Sequence, residues 1–462
     1  MLNRGDGPIY LALADALEAD IGSGRLRQGQ PLPAHRPLAE ALGVDLTTVT
    51  RAYKEARRRG LIVATTGRGT FVRSAAIGDL SVGASRPRLA ADATMNLPPQ
   101  PPAARLAQRI TETVTSILQG SDSGTLLNYR DSAVSDADRA AGAAWLKPRL
   151  GALTGERVLV CSGAQGAFLA LLTTMVQPGD VVATEALTYP GFRALAAHLG
   201  VRLVGVAIDR DGLEPEAFEA VCRGHAPKAL YCTPTMHNPT TATLPAARRE
   251  AIVAIARRFG VVIIEDDAYG LLARGGPAPL ATLAPDITYH VATLSKCLLP
   301  GLRIAYLVAP DGARAARLAA AIRAAVLMVS PIATAVATRW IGEGTAHKIL
   351  GAIRGEATAR QQIARHALGN STYAADPDGH HLWLSLPKGW TVTEFVTHFR
   401  PRGLAAVPAD AFAVENPSGI RDLPAAVRLP LGAATDQPQL RQQLEQVAVA
   451  LSQPFAVWSG VT

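Results

Sequence analysis

A chain of 462 residues, 48% hydrophobic and 18% charged, has material for two or three cores and excludes disorder over its whole length. Its formal charge of +8 is uneven: residues 1–75 hold 11 Lys/Arg against 7 Asp/Glu, and a nucleic-acid partner is expected of that end. Apolar runs such as Val261 to Ile264 are too short to cross a bilayer, Met1 to Tyr10 lacks an export signal, and a cytoplasmic protein is expected. Cys161, Cys222, Cys232 and Cys297 lie far apart with no C-x-x-C pair, which argues against a structural zinc site or a disulfide framework.

In chain order, Ile9, Tyr10, Leu13, Ala16, Leu17 and Ile21 recur at helical spacing and predict a first helix that Gly22 to Gly24 stop. A short helix follows Pro37, from Leu38 to Leu42. Asp45 can cap a third helix running to about Arg59, with Val49, Ala52, Tyr53 and Ala56 on its apolar face. Thr47, Thr48, Thr50, Arg51 and Lys54 occupy the remainder, where short hydroxyls and cations suit phosphate and base-edge contacts in a major groove. Leu61 to Val72 reads as two strands joined around Gly67-Arg68-Gly69, which puts Arg68 at the tip of a hairpin. Helix, helix-turn-helix and β wing together predict a winged helix-turn-helix; a solvated polar face would carry the same charges.

Residues 76–102 change character, ending in Leu97-Pro98-Pro99-Gln100-Pro101-Pro102, and read as a linker between a domain over 1–75 and one over 103–462. In the larger part, Val158 to Cys161, Val181 to Thr184, Ala229 to Cys232, Val261 to Glu265 and Arg303 to Val308 are short apolar runs separated by helical stretches. That alternation predicts a mostly parallel sheet with helices on both faces, an α/β architecture.

Chemistry-bearing residues cluster at the ends of these runs. Ser295-Lys296 is followed by Arg303, so an amine stands near a hydroxyl and a guanidinium able to hold a phosphate dianion. Ser162-Gly163-Ala164-Gln165-Gly166 joins a strand to a helix, where free backbone N–H groups receive phosphate. Tyr189-Pro190-Gly191 and His237-Asn238-Pro239-Thr240 each follow a strand, and Asp266-Asp267-Ala268-Tyr269 ends another. A carboxylate there can pair with a pyridinium nitrogen, and Asp267 beside it reads as a solvent-side or supporting acid. Arg428, inside Ala426-Val427-Arg428-Leu429, needs an anionic partner. Each motif alone also suits a purely structural role.

The segments Leu32-Pro33-Ala34-His35-Arg36-Pro37-Leu38-Ala39, Leu42-Gly43-Val44, Thr47-Thr48-Val49 and Gly67-Arg68-Gly69-Thr70-Phe71-Val72 resemble the winged-helix domain of GntR repressors. The resemblance implies operator DNA as partner, contacted by Arg36, Thr47, Thr48, Arg51 and Arg68. Where that family usually has Ser-Arg or Thr-Arg, this chain has Asp45-Leu46, which leaves more of the reading to Arg51.

The motifs beyond residue 103 resemble, in order and spacing, the fold-type I aminotransferases that use pyridoxal 5′-phosphate (PLP). The resemblance implies that Lys296 forms the internal aldimine and Asp266 pairs with the pyridine nitrogen. It further implies that Asn238 and Tyr269 bond the ring 3′ oxygen, that Tyr189 stacks on the ring, and that Ala164, Gln165, Thr293, Ser295 and Arg303 hold the phosphate. Arg428, with Asn238 nearby, would take an effector or substrate carboxylate. Tyr129, in Leu127-Asn128-Tyr129-Arg130, resembles a tyrosine that reaches the phosphate across a dimer interface, though the polar stretch after it departs from the family pattern.

The two modules together resemble the MocR family of PLP-dependent transcriptional regulators, implying a homodimer that responds to an amine or amino-acid effector through the Lys296 aldimine. A working aminotransferase with an accessory DNA-binding domain remains the alternative, since no residue of the catalytic set is missing.

Overall fold

The computed structural model describes residues 8–22, 25–26, 30–59, 61–65, 69–72, 94–120, 123–129, 135–414 and 423–453. The chain divides into two units, Met1–Leu89 and Ala90–Thr462.

The first unit contains α1 (Ile9–Gly22), α2 (His35–Leu42), α3 (Leu46–Arg58) and an antiparallel hairpin of β1 (Ile62–Thr65) and β2 (Gly69–Val72), paired Ile62 to Val72. Helix α2 begins before Pro37, because a proline in the first turn lacks only an N–H that would have no helical partner there. Gly43, at φ 61°, closes α2 by turning its N–H onto the Ala39 and Glu40 carbonyls. Asp45 caps α3 by accepting the Thr47 N–H at 2.7 Å. The expected face, Val49, Ala52, Tyr53 and Ala56, is buried against Leu13, Leu17, Leu32, Ala39, Ile62 and Val72. Tyr53 Oη donates to the Pro33 carbonyl at 2.9 Å, so the ring is buried without orphaning its hydroxyl. This is a winged helix-turn-helix.

The second unit is built on a seven-stranded sheet. In chain order its strands are β3 (Val158–Cys161), β4 (Val181–Glu185) and β5 (Arg202–Val206), then, past the small hairpin β6 (Ile208–Asp209) and β7 (Gly212–Leu213), β8 (Ala229–Cys232), β9 (Val262–Asp266), β10 (Thr288–Thr293) and β11 (Ala305–Val308). The spatial order is β3-β11-β10-β9-β8-β4-β5, with every neighbour pair parallel except those of β11, which runs antiparallel to both β10 and β3. Alternate side chains enter different cores: Val158 and Val160 join Trp145 and Trp340, while Leu159 and Cys161 join Phe168 and Leu171. Covering on both faces is why these strands read as unbroken apolar runs. A four-stranded antiparallel sheet follows, β12 (Tyr373–Ala375), β13 (His381–Ser385), β14 (Val407–Pro408) and β15 (Ala426–Pro430), ordered β12-β13-β15-β14. Its core includes Phe395, Phe399, Leu440 and Leu444 from the helices Val392–Phe399 and Gln437–Leu451.

Two further boundaries differ from the sequence expectation. Arg303 lies outside β11, at φ 52° on the turn after Pro300–Leu302, because that turn must reverse the chain before the strand starts. The proline end of the expected linker belongs to the second unit: Asn96 is 4% exposed, and a Cβ added at Gly432 would meet the Leu97 carbonyl oxygen at 1.8 Å. Prolines stiffen this stretch, and stiffness served packing rather than reach.

Candidate functional site

The carboxyl ends of the parallel strands converge on one place, where open α/β sheets present their ligand sites. Asp266 ends β9 and Thr293 ends β10; Ser162 follows β3, and Tyr189 follows β4 just before the helix Pro190–His198.

Lys296 is half-buried just past β10, and its Nζ donates to the Asn96 carbonyl at 2.5 Å. Burial, helped by the positive charges of Arg428 and Arg303, lowers its pKa to about 8 against the opposing pull of Asp266. A pKa near 8 leaves about a tenth of the amine uncharged and nucleophilic at pH 7, far more than an ordinary lysine offers.

Asp266 is buried, and its Oδ2 accepts from Tyr231 Oη at 2.6 Å. Burial raises its pKa to about 6, while the Tyr231 bond works the other way. Its Oδ1 has no partner, which suits a pyridinium N–H. Asp267 is not a solvent-side acid. It is 3% exposed and takes the Arg149 fork at 2.9 and 3.1 Å. Despite burial, Arg149 and His290 hold it below the usual carboxylate range. Its space is kept by Gly270, where a Cβ would lie 2.0 Å from Asp267 Oδ2.

The helix Gly163–Met175 opens with Ser162, which makes no side-chain cap, so the first backbone N–H groups lack helical partners. Arg303 leans over this end: a Cβ at Gly163, already at φ +74°, would sit 2.6 Å from its Nη2. Among the described residues no carboxylate pairs with Arg303. Helix terminus and guanidinium therefore make a cationic cradle beside Thr293 and Ser295, whose hydroxyls are 3.0 Å apart. Gln165 is tied to the Gly191 carbonyl through Nε2 at 3.0 Å, leaving Oε1 without a partner.

Arg428, on β15, is 5% exposed. Its Nη1 donates to Asn238 Oδ1 at 2.8 Å and its Nη2 to the Thr94 carbonyl at 2.5 Å. The guanidinium carbon stands 5.1 Å from the Phe412 ring centre, and Nε has no partner. Burial lowers its pKa, and no described carboxylate neutralises it.

Tyr269 accepts from Asn96 Nδ2 at 2.8 Å, and the same amide nitrogen lies 2.8 Å from His381 Nδ1. Burial pushes the Tyr269 hydroxyl up to about 12. His380 Nε2 meets the Lys296 carbonyl at 2.8 Å. Asn96, Thr94, Tyr231 and His381 were missed in the sequence. Tyr231 sits inside the apolar run Leu230-Tyr231-Cys232 and Thr94 in a linker-like stretch, so no local pattern marks them.

Lys296, Asp266, Tyr269, Asn238 and Arg428 are thus linked through direct bonds or mutual electrostatics, with Thr293, Ser295 and Arg303 by the end of β10 and the start of β11 and Ala164 and Gln165 in the first turn of the helix Gly163–Met175. Tyr189 is half-buried, and its pKa is raised by burial and by Asp266. Tyr129 is 82% exposed and bonds to none of these residues. In the first unit, Arg36, Thr47 and Arg51 are exposed and Thr48 is half-buried; Arg68 lies outside the described residues. Thr47 Oγ1 donates to Asp45 Oδ1 at 2.6 Å. Arg58 and Arg59 both bond Glu55, whereas among the described residues Arg51, Lys54 and Arg57 have no acidic partner.

Residues 96–447 match the family Aminotransferase class I and II, and residues 9–72 match Bacterial regulatory proteins, gntR family. The HTH-type transcriptional regulator YdeF of Bacillus subtilis is 29% identical over 96% of this chain and 94% of its own length. The HTH-type transcriptional regulator TauR of Rhodobacter capsulatus is 31% identical, covering 71% of this chain and 72% of its own. In fold, the second unit is similar to the α-aminoadipate aminotransferase LysN of Thermus thermophilus, with TM-score 0.70 at 24% identity over 79% of this chain and 92% of that one. The class I and II aminotransferase fold implies PLP as cofactor, and the unpaired Asp266 oxygen, the Arg303 cradle and the low-pKa Lys296 fit it. A gntR-type DNA-binding head joined to an aminotransferase class I and II body makes this chain a transcriptional regulator of the MocR family.

Proposed function

We propose that this regulator senses a small molecule carrying both a primary amine and a carboxylate. The observation that carries the reading is that Lys296 Nζ and Arg428 Nη2 donate to carbonyls only two residues apart, Asn96 and Thr94, both at 2.5 Å. An amine-reactive position and a buried, anion-free guanidinium therefore flank one small space.

In this reading Lys296 holds the cofactor covalently and Asp266 keeps its ring nitrogen protonated. Tyr189 packs on the ring, and Asn238 and Tyr269 serve its oxygen. Ala164, Gln165, Thr293, Ser295 and Arg303 hold the phosphate. When bound, PLP supplies an electrophilic carbon that captures a primary amine. Lys296, whose free amine has a pKa near 8, would hold the cofactor and could take or return a proton at Nζ. Arg428 fixes the carboxylate, and Asn238 steadies Arg428. Binding at this site then changes operator affinity in the head, and operator changes effector affinity by the same factor.

Arg36, Thr47, Thr48, Arg51 and Arg68 form the DNA-contacting set. A homodimer working in the cytoplasm completes the picture: the 82% exposure of Tyr129 suits a role in the site of a second copy, and paired heads suit paired half-sites. The test is a screen of amines and amino acids for change in the cofactor spectrum, repeated with operator DNA. Compounds that shift the spectrum and alter operator affinity support the reading. Rapid keto-acid production with operator binding indifferent to every compound would favour the enzyme.

A further inference from the structure

The stretch Thr94–Leu97 touches both charged groups of the site. The Thr94 carbonyl holds Arg428 Nη2 and the Asn96 carbonyl holds Lys296 Nζ. The Asn96 amide nitrogen anchors the stretch on Tyr269 Oη and His381 Nδ1, each at 2.8 Å. Leu97 is fixed by its close approach to Gly432. In sequence, the same stretch follows directly on residues 73–93, which join the body to the winged helix.

The chemistry of Arg428 makes this arrangement competitive. A guanidinium grips a carboxylate either side-on, through Nε and Nη2, or end-on, through Nη1 and Nη2. Both grips use Nη2, one of whose two hydrogens already goes to the Thr94 carbonyl, so that carbonyl crowds the carboxylate's approach, and Nε is buried with no partner. A carboxylate is also the stronger acceptor, since it adds a full negative charge and a second parallel bond that the neutral Thr94 carbonyl lacks. The bond to the Asn96 carbonyl is one that Lys296 makes as a free amine, so the competition turns on Arg428 and the carboxylate rather than on the amine.

We propose that Thr94–Leu97 is a built-in competitor of the effector: the effector's carboxylate replaces the Thr94 carbonyl on Arg428, and release of this strap, pivoting at Leu97, loosens the root of the connection to the DNA-binding head. The proposal rests on the amine-and-carboxylate reading above and adds how occupancy leaves the site. Asn96, through its two side-chain bonds, sets how tightly the strap resists.

The test uses full-length, PLP-loaded protein, the twenty standard amino acids and ethylamine as the carboxylate-free control. Cofactor absorbance reports binding, and hydrogen exchange of the peptide covering 94–100 reports the strap. The amino acid that shifts absorbance is expected to speed exchange there by about tenfold or more, and ethylamine to shift absorbance without speeding it. Asn96→Ala should bind that amino acid more tightly, by roughly fivefold, because a weaker competitor is easier to displace. An absorbance shift with exchange unchanged or slowed overturns the strap and leaves the effector reading standing. Weaker binding by Asn96→Ala, or equal acceleration by ethylamine, also overturns it. If none of the twenty shifts absorbance, the effector reading falls and the strap falls with it.

Discussion

Tyr231 Oη donates to Asp266 Oδ2 at 2.6 Å from the neighbouring strand, and both side chains are buried. The bond favours the charged carboxylate, burial disfavours it, and burial wins, leaving Asp266 near 6 against an ordinary value of 3.8. A folded-state pKa above the unfolded one means the folded protein binds the proton more tightly. Stability of the cofactor-free protein should therefore fall as pH rises from about 4 to 6, by up to about 3 kcal/mol. Tyr231→Phe should extend that loss to higher pH, and Asp266→Asn should remove it. Thermal unfolding between pH 4 and 7 checks both, and a flat wild-type profile would contradict the assignment.

Lys296 predicts a second pH dependence. With its pKa near 8, the rate of PLP attachment should climb with pH and level off above that value, rather than continuing toward 10. Lys296→Ala should yield no cofactor adduct after borohydride, by intact mass, yet retain PLP noncovalently through Arg303 and the helix terminus at Gly163. Loss of all PLP binding in that variant would show that the cradle is too weak to hold the phosphate alone.

The head's cations are not equivalent. Arg58 and Arg59 are spoken for by Glu55, and Arg59 also by Asp15 and Glu18, whereas Arg51, Lys54 and Arg57 share the exposed face of α3. Arg51→Ala should cost about 1–3 kcal/mol of operator binding and relax specificity at one position per half-site. Lys54→Ala should weaken all sequences alike and reduce the salt slope by about one. Arg58→Ala should change operator binding far less than either. Fluorescence anisotropy over a salt series, with DNA selected from a random pool, ranks the three; a loss at Arg58 matching that at Arg51 would show that the Glu55 pair does not withhold Arg58 from DNA.

Arg428→Ala should uncouple the two modules. PLP loading should persist, while operator affinity becomes the same with and without the effector amino acid. An enzyme would answer differently, chiefly through a raised KM for an amino acid that the wild type converts rapidly. Anisotropy and a keto-acid assay on one preparation distinguish the two.

What could be read in the sequence follows the range of the interactions. The α3 face of Val49, Ala52, Tyr53 and Ala56 repeats with the helix period, and Lys296, Asp266 and Asn238 sit in short stretches whose order is informative. The strap and the Arg149–Asp267 pair depend on residues brought together from 118 to 334 positions apart, which leaves no local trace. Proline content even pointed the wrong way for residues 94–102, because proline stiffens packed and unpacked chain alike.

Since β11 runs antiparallel to β10, Thr293 and Ala305 face each other across the ladder, and the chain between them leaves and returns at one clamped point. Lys296 and Arg303 both ride on that closed turn. A parallel neighbour would need a crossover of a dozen or more residues, and the two cations would then belong to separate elements able to drift independently. Here their spacing is set by the length of a single turn. An insertion at this place would pull the Lys296 amine away from the Arg303 guanidinium, so natural variation between residues 294 and 304 should be confined to substitutions.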